Sequence, residues 1–203
     1  DALPIYGNLF LGANNLTLSG TTSVFGAAAG KCIVTNGAGG VVQSVALTSV
    51  VYPVGPNATT YNPVTLTGTG AHVTDNFTVS VADTNNPSTD NDNIAVKRTW
   101  KISEQVATGS DVNIALQWDL ANAGSGLDTT IAIVYSYNGA AYAELTSNIS
   151  VGSPYISTAN NVNDFSGQYF TVANQGGFLP VQLTSFNVAA KGNDVIVSWA
   201  TKT

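Results

Sequence analysis

The sequence has no methionine, one cysteine and one histidine, and only 9% of its 203 residues are charged. Each shortage removes a class of chemistry. A single cysteine cannot close an intrachain disulfide. With a single histidine it cannot make a usual structural zinc site unless carboxylates join in. A Ser-His-Asp triad would have to use His72, but "TGTGAHVTDNF" carries no nucleophile-elbow signature. Cys32, in "KCIVTNG", alternates like a strand residue and is expected to be a small buried hydrophobe. No apolar run approaches the ~20 residues of a membrane helix, so membrane insertion is not expected. The lack of methionine and the start at Asp1 fit a processed N-terminus whose export signal has been removed.

Basic residues are scarce as well. Six Lys and Arg face twelve Asp and Glu, giving a formal net charge of −6 and a pI near 4.3. Nucleic acid wants a basic stripe and an anionic membrane surface wants a basic patch, so neither is an expected partner. Half of the basic residues sit together as Lys97, Arg98 and Lys101. The expectation is a solvated strand edge, with an anion site as the alternative. Glycosidase chemistry needs two facing carboxyls. The two glutamates, Glu104 and Glu144, with Asp111 and Asp119 near them in sequence, select no such pair. No enzyme is expected.

What remains is β-forming. Hydrophobic residues make up 44%, enough for a core, and the uncharged remainder is rich in Thr, Ser, Asn and Gly. That composition suits exposed sheets and Asx turns and is poor for long helices. Residues 1–50 read as short strands closed by Gly or Asn-Gly, and "GNLFLGANNLTLSG" nearly repeats itself seven residues apart. Such punctuation predicts rungs of a β-solenoid or a tight meander. Residues 51–178 carry longer strands with clear alternation, as in Phe77, Val79 and Val81 or Ile114, Leu116 and Trp118. Seven or eight of these predict a two-sheet β-sandwich. Trp100 and Trp118 belong to its core. Pro53, Pro56 and Pro63 cluster where one sheet would end and the next begin. "NQGGFLP" reads as a linker into residues 179–203, a C-terminal hairpin turning at "KGND".

In that hairpin Val195, Val197 and Trp199 share a face, as do Phe186 and Val188, while Leu183 is out of phase. The phase break predicts a bulge or a change of strand partner. A lone hairpin is marginal in water, so its apolar face needs a cover, supplied by this chain's own body, by another chain, or by the rest of a fibronectin-like domain. These five residues are the expected inter-subunit contacts.

Other candidate sites are local. "ADTNNPSTDNDN" gathers Asp83, Asp90 and Asp92 among amide oxygens, as a hard cation wants, although the Gly and Glu of an EF-hand loop are absent. Calcium is therefore the one cofactor considered, against a plain polar loop. Tyr135, Tyr137 and Tyr142, around "YSYNGAAY", are the surface candidates for a sugar platform. Asn15, Asn57, Asn76 and Asn148 head sequons of a kind that arise by chance in a Thr/Asn-rich chain.

Three stretches, "VVYPVGPNATTYNPVTLT", "VKRTWKISE" and "LPVQLTSFNVAAKGNDVIVSWATKT", resemble segments of large secreted surface proteins of Bacteroidota exported by the type IX system. Asp128-Thr129-Thr130 loosely resembles the O-glycosylation motif of the same bacteria. The resemblance implies display outside the cell and a β-sandwich leading into a fibronectin-like domain. It brings no active-site residues. This chain departs from the pattern at its end, holding only the first two fibronectin-like strands and no sorting domain. Composition, architecture and resemblance together lead to an extracellular structural protein, a subunit or stalk of a surface fibre or adhesin that partners itself. The alternative is a carbohydrate-binding or ancillary module of a larger secreted protein.

Overall fold

The computed structural model describes residues 2–20, 22–84, 92–149, 152–166, 169–178, 182–192 and 194–202. Among these the fold is all-β, with two short 3-10 turns at Asp92–Ile94 and Leu120–Asn122 and no α-helix.

The N-terminal region is a parallel solenoid. β1 (Ala2–Pro4), β2 (Leu9–Phe10) and β3 (Leu16–Leu18) form the sides of one rung. β4 (Ser23–Phe25), β5 (Ile33–Val34) and β6 (Val41–Val45) stack on them in parallel, with Ala2 opposite Ser23, Leu9 opposite Ile33 and Leu16 opposite Val41. The rung therefore repeats after roughly 21–25 residues, within the range of solenoid periods. The seven-residue echo in the sequence marks successive sides of one rung. Asn8 and Asn15, equivalent positions of that echo, do equivalent work. Asn8 Oδ1 accepts the Cys32 amide (3.1 Å) and Asn15 Oδ1 accepts the Gly40 amide (2.9 Å), each in the next rung. The corner at residues 37–39 lies directly on the corner at residues 12–14. A Cβ on Gly39 would come within 2.0 Å of the Asn14 carbonyl oxygen, so the glycine allows the close approach.

A third rung begins with β7 (Val50–Tyr52) and β8 (Val54–Gly55), divided by Pro53. β8 continues the stack on β5, whereas β7 pairs antiparallel with β9 (Val64–Gly68) in the sandwich. Pro53 thus stands where the chain passes from one sheet to another, as expected of it.

The sandwich strands are β10 (Asp75–Ala82), β11 (Thr99–Glu104), β12 (Val112–Trp118), β13 (Ala132–Tyr137), β14 (Tyr142–Glu144), β15 (Ser147–Ile149), β16 (Tyr155–Val162) and β17 (Tyr169–Asn174). One sheet runs β14-β13-β17-β11-β10-β6-β3, and the facing one runs β15-β16-β12-β9-β7. The solenoid and the sandwich therefore share a sheet: β6 pairs parallel with β3 on one edge and antiparallel with β10 on the other. The alternation expected of β10 and β12 holds, since Phe77, Val79, Val81, Ile114, Leu116 and Trp118 are all buried. Trp100 and Trp118 are fully buried, and each indole N–H finds an acceptor, the Asn62 carbonyl (3.0 Å) and Ser157 Oγ (3.1 Å). A smaller core holds Tyr135, Tyr142 and Phe178. The expected linker is thus anchored as far as Phe178.

The chain ends in a hairpin of β18 (Gln182–Lys191) and β19 (Asp194–Lys202). These two strands pair only with each other.

Candidate functional site

The hairpin turns at Gly192, whose φ of 65° suits a tight two-residue connection, with Lys191 paired to Asp194. Its register shifts between Leu183 and Ser185, so the phase break read from the sequence is a bulge. Beyond it Phe186 pairs with Trp199, Val188 with Val197 and Ala190 with Val195. Paired residues share a face, so the five expected contact residues form one continuous apolar row. That row is uncovered. Trp199 is 66% exposed, Phe186 59% and Val195 66%. The other face is exposed too, and the outer edges of β18 and β19 carry no further strand among the described residues. Strand addition needs such edges for main-chain hydrogen bonds and such a row for register.

The other candidates lie elsewhere in the fold. Asp83 is committed to its own fold: one carboxylate oxygen is paired with Arg98 and the other accepts from Asn57 Nδ2 (2.9 Å). Asp92 opens a 3-10 turn, and Asp90 lies outside the described residues. Among the described residues no group of three His, Cys, Asp or Glu is spaced to hold a metal ion.

The three tyrosines do not make an exposed platform, which corrects the expectation for them. Tyr135 and Tyr142 are buried, and the Tyr142 ring stacks on Phe178 at 4.3 Å between centroids. The cause is the strand pairing, which sets Tyr137 opposite Tyr142 and turns this end of the hairpin toward Phe178. Tyr135 donates its hydroxyl to Glu144 (2.8 Å), so this glutamate is engaged too. Burial, with Asp92 and Tyr137 nearby, pushes the Tyr142 phenol up to about 12.

The basic cluster is also not what its spacing suggested. Lys97 and Lys101 are solvated, but Arg98 is only 4% exposed. Its guanidinium donates to Asn62 Oδ1 (2.9 Å), Asn122 Oδ1, Asp83 and the Lys97 carbonyl (2.6 Å). A buried cation is tolerated here because its donors are satisfied. Burial lowers its pKa, and Asp83 and Asp119 act in the opposite direction. Sequence reading missed this because the partners lie 15, 24 and 36 residues away.

His72 is held by backbone. Nε2 meets the Val45 carbonyl (3.0 Å) and Nδ1 accepts the Asp111 amide (3.2 Å), so the proton sits on Nε2. Cys32 is buried, as expected, and desolvation raises its thiol pKa. Asp128 Oδ1 accepts both the amide and the hydroxyl of Thr130, a turn motif that lowers the carboxyl's pKa.

Comparison with protein-family models, with curated proteins and with solved structures gives no match.

Proposed function

We propose that this chain is an extracellular structural protein, a subunit or stalk segment of a surface fibre or adhesin joined by strand contacts between subunits. The observation that carries the reading is the terminal hairpin, with its row of Phe186, Val188, Val195, Val197 and Trp199 exposed. Large apolar residues in a contiguous exposed patch mark an interaction surface. β2 of the first solenoid rung is a sheet edge with Leu9 and Phe10 exposed, which supports a place for a neighbour's hairpin to add. Joining one end of a subunit to a different surface of the next does not close on itself unless the rotation happens to, so the assembly extends. The uncharged Thr/Asn surface and the resemblance to type IX-exported proteins of Bacteroidota support a place outside the cell. The reading assigns no catalysis, no cofactor and no nucleic acid.

The test is removal of residues 181–203, followed by circular dichroism, light scattering and negative-stain electron microscopy. The expected result is a folded chain that no longer assembles while the intact chain forms filaments. Unfolding of the truncated chain would mean that the hairpin completes its own subunit. Assembly that continues unchanged, or an intact chain that stays monomeric at every concentration, would overturn the reading. The second of these results would favour a fibronectin-like domain completed within a longer chain.

A further inference from the structure

The sequence holds two Asn-Gly pairs, Asn36-Gly37 and Asn138-Gly139. Such a pair is the least hindered setting for attack of a backbone nitrogen on the preceding side-chain amide, because glycine has no side chain to block it. The fold treats the two pairs differently. Asn138 Oδ1 accepts the Ala140 amide (3.0 Å) and the Ala141 amide (2.9 Å). This Asx turn fixes the carboxamide, and ring closure would have to break both bonds. Asn36 is exposed, and among the described residues neither its side chain nor the Gly37 amide has a hydrogen-bond partner. Its carboxamide is free to turn toward the Gly37 nitrogen.

Asn36 also stands at a tight place, the corner between β5 and β6. On one side Thr35 is pinned. Its amide donates to the Gly55 carbonyl (3.0 Å), and its hydroxyl donates to the Val81 carbonyl (3.2 Å) and accepts the Val81 amide (2.9 Å). Thr35 thus ties the second rung to the third and to β10 of the sandwich. On the other side the Gly39 amide donates to the Gly12 carbonyl (3.0 Å). Only residues 36–38 lie between these anchors, and a Cβ on Gly37 would come within 2.2 Å of the Gly12 carbonyl oxygen. The corner has no room for an extra backbone atom.

We propose that Asn36 is a site of self-modification, where deamidation through a succinimide loosens the seam between solenoid and sandwich. The Gly37 nitrogen gives its proton to solvent base and bonds to Asn36 Cγ. The Cγ–Nδ2 bond breaks, and ammonia leaves after taking up a proton. Water then opens the ring at either carbonyl. One opening gives aspartate. The other gives isoaspartate, whose main chain runs through Cβ and Cγ and is longer by one atom. Both products add a negative charge. The site uses none of the hairpin residues, so it stands or falls independently of the assembly reading.

The intact chain, held in mildly alkaline buffer at body temperature, tests it by peptide mapping with mass spectrometry and by isoaspartyl methyltransferase labelling. Conversion at Asn36 should be about tenfold or more faster than at Asn138, since a group held away from its attack geometry reacts far more slowly. In urea the two should convert at similar rates, which assigns the difference to the fold. The converted chain, separated by its extra charge on an anion exchanger, should melt at a lower temperature than the fresh chain. Asn36→Gln, which would have to close a larger ring, should keep its mass and melting temperature through the same incubation. Asn36 left intact while the chain in urea converts overturns the proposal, and so does conversion at Asn138 as fast as at Asn36. A converted chain that melts with the fresh one overturns the effect on the seam.

Discussion

Replacing Arg98 with methionine isolates the strongest polar feature of the core. Methionine keeps the length of the aliphatic stem and removes the guanidinium. Two amide oxygens then lose their donor, Asn62 Oδ1 in a fully buried residue and Asn122 Oδ1 in one that is 8% exposed. An orphaned buried acceptor costs about 1–3 kcal/mol, so the pair should cost about 2–6 kcal/mol. Asn62 magnifies the effect, because its carbonyl also receives the Trp100 indole and its amide donates to Val54. Asp83→Asn is the informative contrast. The Asp83 side chain is 53% exposed, so water can take over much of its role and the charge interaction is screened. That substitution should cost about 1 kcal/mol. Urea unfolding followed by fluorescence measures both, as a lower midpoint with an unchanged slope. A change below about 0.5 kcal/mol for Arg98→Met would refute the reasoning, since that is the scatter of neutral surface substitutions. So would a larger loss for Asp83→Asn, which would make the ion pair, and not the amides, the stabilising contact.

Four further outcomes are expected. Gly39→Ala should destabilise the chain by about 1–3 kcal/mol in a thermal melt, because its methyl meets the Asn14 carbonyl of the rung beneath. Trp199→Phe should remove most acrylamide-quenchable fluorescence, since Trp100 and Trp118 are buried; in assembled material the Trp199 emission should shift to the blue. Tyr142 should make stability fall in alkali: its folded pKa lies above the unfolded value of 10.0, so its contribution is complete below pH 10 and is lost as pH rises toward about 12. Tyrosinate absorbance should therefore show a late step that coincides with unfolding. Cys32 should resist a thiol reagent in the native chain and react at once in denaturant, because it is buried and its pKa is raised.

The sequence carried the short-range part of this structure. Strand alternation named the buried faces of β10 and β12, and the phase of Leu183 against Phe186 and Val188 foretold a bulge. The Gly and Asn-Gly punctuation marked the solenoid corners. What was not legible depends on distance along the chain. Nothing local to Arg98 says that Asn62 and Asn122 will surround it, so a buried cation read as a surface one. Tyr135 and Tyr142 looked like surface residues because the cover, Phe178, lies in a segment that read as linker. Nor does anything local to β7 say that it will leave the stack and pair with β9.

The strand shared between the two halves has a mechanical meaning. β6 is hydrogen-bonded along both edges, so the sheet that starts in the rung runs unbroken into the sandwich. A joint made of loose chain bends under small forces, as linkers between domains do. Here the two halves can tilt against each other only if a β ladder is sheared or a packed core is deformed. Tension reaching the solenoid is spread over many backbone bonds at once, and no single loop has to bear it. The junction of the two halves therefore resists bending more than a loop linker would. A fibre built from such bodies would owe its flexibility to the contacts between subunits.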